Sequence, residues 1–258
     1  MEFLLEVREP VSVWTHAAGL ALAVPGTVLL WNRAEGDRTR QFVLLVYGVC
    51  LACCYAFSAL NHAVQGGSAA IARFALLDRI GIYGLIAGTY TPIVWIVLRG
   101  RWRRWTLVLV WLAAVLGSSL HLAFGVLPTW LGTGLYLAMG WGAAVLYLEL
   151  ARVLSHRSLV AVVFGGVLYS TGAVLNVLKW PNLVPGVFGS HELFHLFVMA
   201  GSLAHFLFIA RLATPTDSVV RRPLPHVHIK VWKSIAKRRK VHSTSSARSG
   251  SRTDPDLF

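Results

Sequence analysis

Apolar residues do not alternate with polar ones along this chain; they run together in long blocks. Seven such blocks, 11–31, 41–64, 76–98, 104–124, 129–151, 158–178 and 189–212, reach the roughly 20 residues that a helix needs to cross a bilayer. Short polar or basic connections separate them: Asn32–Arg40, Gln65–Arg73, Arg99–Arg104, Leu127–Pro128, Arg152–Arg157 and Lys179–Pro185. Connections this short make consecutive helices antiparallel neighbours. The pattern therefore predicts an all-α polytopic membrane protein, a bundle of seven transmembrane helices. Gly125 and Pro128 alone mark the turn between the fourth and fifth spans. Gly81, Gly84 and Gly88 in the third span are expected to let a neighbouring backbone come close, and Pro92 to bend that helix in its second half.

Composition agrees. Apolar residues make up 56% of the chain and charged residues 14%, against about 25% charged in a soluble domain. The formal net charge of +13 would suggest a nucleic-acid partner if it lay across one face. Instead, residues 217–258 hold ten Lys/Arg against Asp217, Asp254 and Asp256, and the remaining excess sits in the short connections. No nucleic-acid partner is expected; anionic lipid headgroups at the basic tail are. The chain divides into a transmembrane domain, 1–212, and a Pro-, Ser- and Lys/Arg-rich tail, 213–258. That tail is expected to be disordered, apart from a short surface helix over His228–Lys240 laying Ile229, Trp232 and Ile235 on the headgroups.

Basic residues also set an orientation. Nine connection residues, Arg33, Arg38, Arg40, Arg99, Arg101, Arg103, Arg104, Arg152 and Arg157, fall on the side of the C-terminus, against Arg8, Arg73, Arg79 and Lys179 on the other. The positive-inside rule then places the C-terminus in the cytoplasm of a plasma membrane and the N-terminus outside. No signal peptide is expected from an N-terminus with Glu2, Glu6 and Glu9 against a lone Arg8, where a positive segment would stand. Cys50, Cys53 and Cys54 share one apolar block and read as small packing residues.

Ionisable side chains inside spans need a reason. The alternation of helix direction puts His16, Ser58, His62, Asp78, His121, His191 and His195 in one layer on the N-terminal side, with Glu149 and His156 opposite. His191 and His195 are one turn apart on one helix face, and His62 lies at the same depth. Three histidines with an open fourth position are the pattern of a catalytic zinc, which acidifies its water to a pKa of about 7. Asp78 can then serve as general base and Ser58 as oxyanion donor. Interhelical hydrogen bonding and haem ligation are the alternatives for the same histidines. His16, His121 and His205 suit interhelical hydrogen bonds, and His205 lies roughly 15 Å along the helix from His195.

Ser58-Ala-Leu-Asn-His62, Asp78-Arg-Ile-Gly-Ile-Tyr-Gly-Leu-Ile-Ala-Gly-Thr-Tyr-Thr-Pro92 and His191-Glu-Leu-Phe-His195 resemble the haemolysin III family, as does the opening Glu9-Pro-Val-Ser-Val-Trp-Thr-His16-Ala-Ala-Gly19. That family belongs with the progestin and adipoQ receptors and, more distantly, the alkaline ceramidases. The resemblance runs from about residue 8 to 212. It implies zinc on His62, His191 and His195, with Ser58 and Asp78 beside it. Receptor members of the group place the N-terminus in the cytoplasm, whereas the basic connections here argue the reverse. Three functions follow as expectations. The first is a zinc-dependent hydrolase of membrane-lipid amides or esters. The second is a receptor with a structural zinc, any protein partner using loops or tail. The third is a pore-forming haemolysin causing cytolysis, which the family name implies and which finds no continuous polar stripe here.

Overall fold

A computed structural model describes residues 7–214, so the tail and its expected surface helix lie outside the described residues. The described residues form seven α-helices: α1 (Pro10–Arg33), α2 (Arg38–Ala63), α3 (Ser68–Val97), α4 (Gly100–Phe124), α5 (Thr129–Val153), α6 (His156–Leu178) and α7 (Ser190–Ala213). All seven are long and apolar enough to span a bilayer. The expectation of a seven-helix membrane bundle is met.

Two boundaries differ from those expected by four residues or more. α3 begins at Ser68, eight residues before the apolar block, because the Ala-rich segment around Ala69, Ala70 and Ala72 sustains helix beyond the hydrocarbon. α4 begins at Gly100, which takes Arg101, Arg103 and Arg104 into its first turns rather than a loop. Arginine is a good helix former whose long stem lets the charge reach water from a helix end. The turn between α4 and α5 falls where Gly125 and Pro128 mark it. Gly125 has φ +75°, and Pro128 precedes the first residue of α5.

Neighbours follow the chain: α2 packs on α1 and α3, α4 on α3, α6 on α7, and α7 closes back onto α1. α3 also reaches α5 and α7 and is the centre of the bundle. Its most apolar window is 61% buried, against 11% for α5, the helix most open to lipid. A Cβ on Gly88 would lie 2.6 Å from the Cys50 Cβ, and one on Gly81 3.1 Å from the Cys54 Cα, so these glycines seat α2 against α3. A Cβ on Gly84 would meet nothing within 4 Å among the described residues, so Gly84 plays no part in that seam. The helix continues unbroken through Pro92, with Thr89 and Thr91 hydroxyls donating to the Leu85 and Ala87 carbonyls.

Helix direction divides the interior in two. The end where α1, α3, α5 and α7 finish is sealed by Leu30, Leu44, Val94, Val97, Leu150, Leu154, Leu159, Phe208 and Leu212. The opposite end buries Ser12, His16, Ser58, Asn61, His62, Asp78, His121 and His195. Exposed Trp14, Trp130 and Trp180 ring the polar end, and Trp31, Trp102 and Trp105 the apolar end, at the two levels where membrane interfaces favour indole.

Candidate metal centre

The polar end is assembled from helix termini. His62 sits in the last turn of α2, Asp78 a few turns into α3, and His191 and His195 on successive turns at the start of α7. Glu192, the acidic residue between those histidines, caps the helix that carries them, accepting from the Gly189 N–H at 2.8 Å.

His62, His191 and His195 converge: one ligand nitrogen from each lies within 4.8 Å of the other two. His62 Nε2 and His191 Nε2 face each other at 3.4 Å. Both rings are held from behind. Glu9 Oε2 lies 2.6 Å from His62 Nδ1, and Asn176 Oδ1 3.3 Å from His191 Nδ1. An acceptor at Nδ1 keeps the proton there, so each Nε2 carries a lone pair. Two lone pairs pointed at each other repel unless a cation lies between them. Tetrahedral ligands at 2.0–2.1 Å from an ion stand about 3.3 Å apart, which matches the observed separation. His195 Nδ1 is buried with no partner among the described residues. The cluster can hold a metal ion.

Around it, Asp78 is buried, and its Oδ2 accepts from Asn61 Nδ2 at 3.4 Å and lies 3.7 Å from Arg79 Nη1. Ser58, one turn before His62, is 2% exposed. Ser58, Asp78, His191 and His195 all line one cavity of about 570 Å³. The cavity continues along α3 from Asp78 to Val94, roughly 24 Å at the helical rise. Its far walls are Ile86, Ile93, Leu146 and Leu159. Trp141, Leu148 and Val163 line it and are exposed as well, so it opens sideways between α5 and α6.

The remaining histidines separate. His205 Nε2 bonds the Val162 carbonyl at 3.0 Å, joining α7 to α6. His121 reaches the Gly125 carbonyl at 3.2 Å and the Tyr136 hydroxyl at 3.4 Å, joining α4 to α5. His16 departs from the interhelical hydrogen bonding expected of it. Both its ring nitrogens are buried without a partner among the described residues, and its ring stacks on His195 at 4.1 Å between centroids. Face-to-face stacking turns the ring edges, and with them the nitrogens, away from His195.

Two further residues of the centre, Glu9 and Asn176, were not among the sequence candidates. The alternation of helix direction contains the signal for both. Glu9 precedes α1, and Asn176 lies in the last turn of α6, each at the polar end.

Residues 5–206 match the model of the family described as Haemolysin-III related. The chain belongs to that family. It is 33% identical over 214 residues to Hemolysin-3 of Bacillus cereus, covering 82% of this chain and 94% of that one. The Hemolysin-3 homolog of Bacillus subtilis is 31% identical over 204 residues, 78% and 92% of the two chains. The adiponectin receptor protein of Drosophila melanogaster is 26% identical over 234 residues, 80% of this chain and 50% of the receptor. Family membership and seven apolar helices together make this an integral membrane protein.

Proposed function

We propose that this haemolysin III family protein is a zinc-dependent hydrolase of membrane-lipid amides or esters. The observation that carries the proposal is the continuity of one cavity. Ser58, Asp78, His191 and His195 stand at its polar end, and an apolar channel open to the bilayer leads away from them. A lipid whose polar linkage must reach the histidines can keep its chain in that channel at little desolvation cost.

Three imidazoles converging on one point, two of them at tetrahedral spacing, suit zinc; haem would need a planar gap between two facing histidines, and a third ring at the same point would obstruct it. His62, His191 and His195 would hold the zinc, which would supply Lewis acidity for the reacting carbonyl. The Asp78 carboxylate takes the proton of the attacking water and returns it to the nitrogen or oxygen that leaves as the amide or ester bond breaks, while Asn61 and Arg79 hold its Oδ2 in place. The Ser58 hydroxyl donates to the oxygen that gains charge. The apolar seal formed by Val94, Leu150 and Leu159 argues against an open conduction path, so cytolysis by pore formation ranks last.

A second reading is a signalling protein with a structural metal, favoured by the likeness to the fly adiponectin receptor protein. We further propose that the protein sits in a bacterial plasma membrane with its C-terminus in the cytoplasm. There the ten Lys/Arg of residues 217–258 meet anionic headgroups. The test of the main proposal is metal analysis of detergent-purified protein, followed by product release from ceramide-like amides and glycerolipid esters. Zinc-loaded protein with no turnover on either class, and loss of metal in Asp78→Asn, would replace the hydrolase with the signalling protein.

A further inference from the structure

Glu9 lies outside every transmembrane helix, yet it makes the shortest contact to a histidine of the cluster. Its position is dictated locally. Pro10 opens α1 as its first helical residue, and the residue before a proline is driven to extended backbone; Glu9 has φ −136° and ψ 80°. That conformation turns its N–H toward the end of α2, where it donates to the His62 carbonyl at 3.2 Å. The side chain follows the same direction and sets Oε2 2.6 Å from His62 Nδ1. Arg8 completes the strap, its Nη2 donating to the Asn61 carbonyl at 2.7 Å and its Nε to Glu9 Oε1 at 3.1 Å. Glu9 is thus held at both carboxylate oxygens and at its own backbone. The hydrogen bond with His62 outweighs burial and holds the carboxyl below the usual carboxylate range.

We infer that Glu9 is a positioning residue for the metal: it fixes the His62 ring and its tautomer, so that Nε2 is presented to the ion beside His191. Arg8 and Glu9, just ahead of α1, are then part of the metal centre. Metal-binding histidines characteristically donate their second ring N–H to a carboxylate, and removing such a partner costs about 10–100-fold in metal affinity. Asn176 does the same for His191 with a neutral, weaker acceptor. The inference rests on the metal proposed above.

The experiment is zinc affinity of the detergent-purified full chain by competition with a chromophoric chelator, alongside the visible spectrum of the cobalt(II)-loaded protein. Glu9→Ala is expected to weaken zinc about 10–100-fold and to alter the cobalt bands. Glu9→Gln keeps an acceptor oxygen and should fall between Ala and wild type; it also keeps the shape of the strap if Glu9→Ala fails to fold. Arg8→Ala removes the strap's anchor on Asn61 and the partner of Glu9 Oε1 but leaves the His62 contact at Oε2, so it should lower thermal stability with less than a threefold change in affinity. Wild-type affinity in both Glu9 variants, with one zinc in the parent, overturns this inference alone. Equal losses in Arg8→Ala and Glu9→Gln overturn it too, because a purely structural strap predicts that. Absence of zinc from the parent overturns the metal proposal and this inference with it.

Discussion

Asn61 Nδ2 lies 3.4 Å from Asp78 Oδ2, tying the turn of α2 that carries His62 to the carboxylate on α3. The pair gives Asp78 a fixed direction into the cavity without making it a ligand. A base that acts on water beside the ion can therefore be changed while the ion stays. Asp78→Asn should retain about one zinc per chain and lose turnover by about 10²–10⁴-fold, the usual worth of a general base. Ser58→Ala should cost less, because one donor to the oxyanion is lost and the electrophile remains. Product release and zinc content measured on the same samples check both.

Metal loss should separate the histidines by position. His191→Ala and His195→Ala are expected to purify without zinc. His205→Ala should keep the metal, since its Nε2 is spent on the Val162 carbonyl, and should instead lose about 1 kcal/mol of stability with that hydrogen bond. An intense visible absorption band in place of zinc would identify haem and sink the assignment.

Adjacent glycines in α6 offer a test of the cavity. Gly166 lines it, and an added Cβ there meets nothing within 4 Å, whereas one on Gly165 would lie 2.5 Å from His205 Nε2. Gly166→Leu should fill the channel, keep the metal and the fold, and reduce turnover of long-chain lipids more than of short-chain ones. Gly165→Leu should instead lower thermal stability by about 1–3 kcal/mol through overpacking. Equal chain-length profiles for wild type and Gly166→Leu would remove the channel from the lipid path.

The α2–α3 seam makes a stability prediction independent of chemistry. Gly88→Ala drives a methyl group into Cys50 and should cost about 1–3 kcal/mol. Gly84→Ala meets open space, and should gain up to about 1 kcal/mol from helix propensity. Melting in detergent, followed by circular dichroism, distinguishes them.

Orientation is checked with reporter fusions. Fusions at the C-terminus and between Arg99 and Arg104 should both read cytoplasmic. If both read external, the metal centre faces inward and the loop charges do not control insertion.

Much of this protein is determined by its sequence alone, and the reason is the solvent. A bilayer demands that backbone groups bond within each segment, so seven apolar blocks become seven helices without help from tertiary contacts. Chain direction then alternates, which was enough to place His16, Ser58, His62, Asp78, His191 and His195 at one end. The helix limits at Ser68 and Gly100 were not legible in hydropathy, because helix outlasts the apolar block wherever Ala and Arg favour it. Depth is one coordinate; the other two belong to packing. Only the bundle decides that His62 and His191 face each other while His16 stacks behind His195, and that Gly88 faces Cys50 while Gly84 faces open space. The same holds for Glu9, a charge ahead of the first helix in the sequence and a carboxylate on His62 in the structure. Helix rotation about its own axis depends on which side chains interlock, and no periodicity within one helix carries that information.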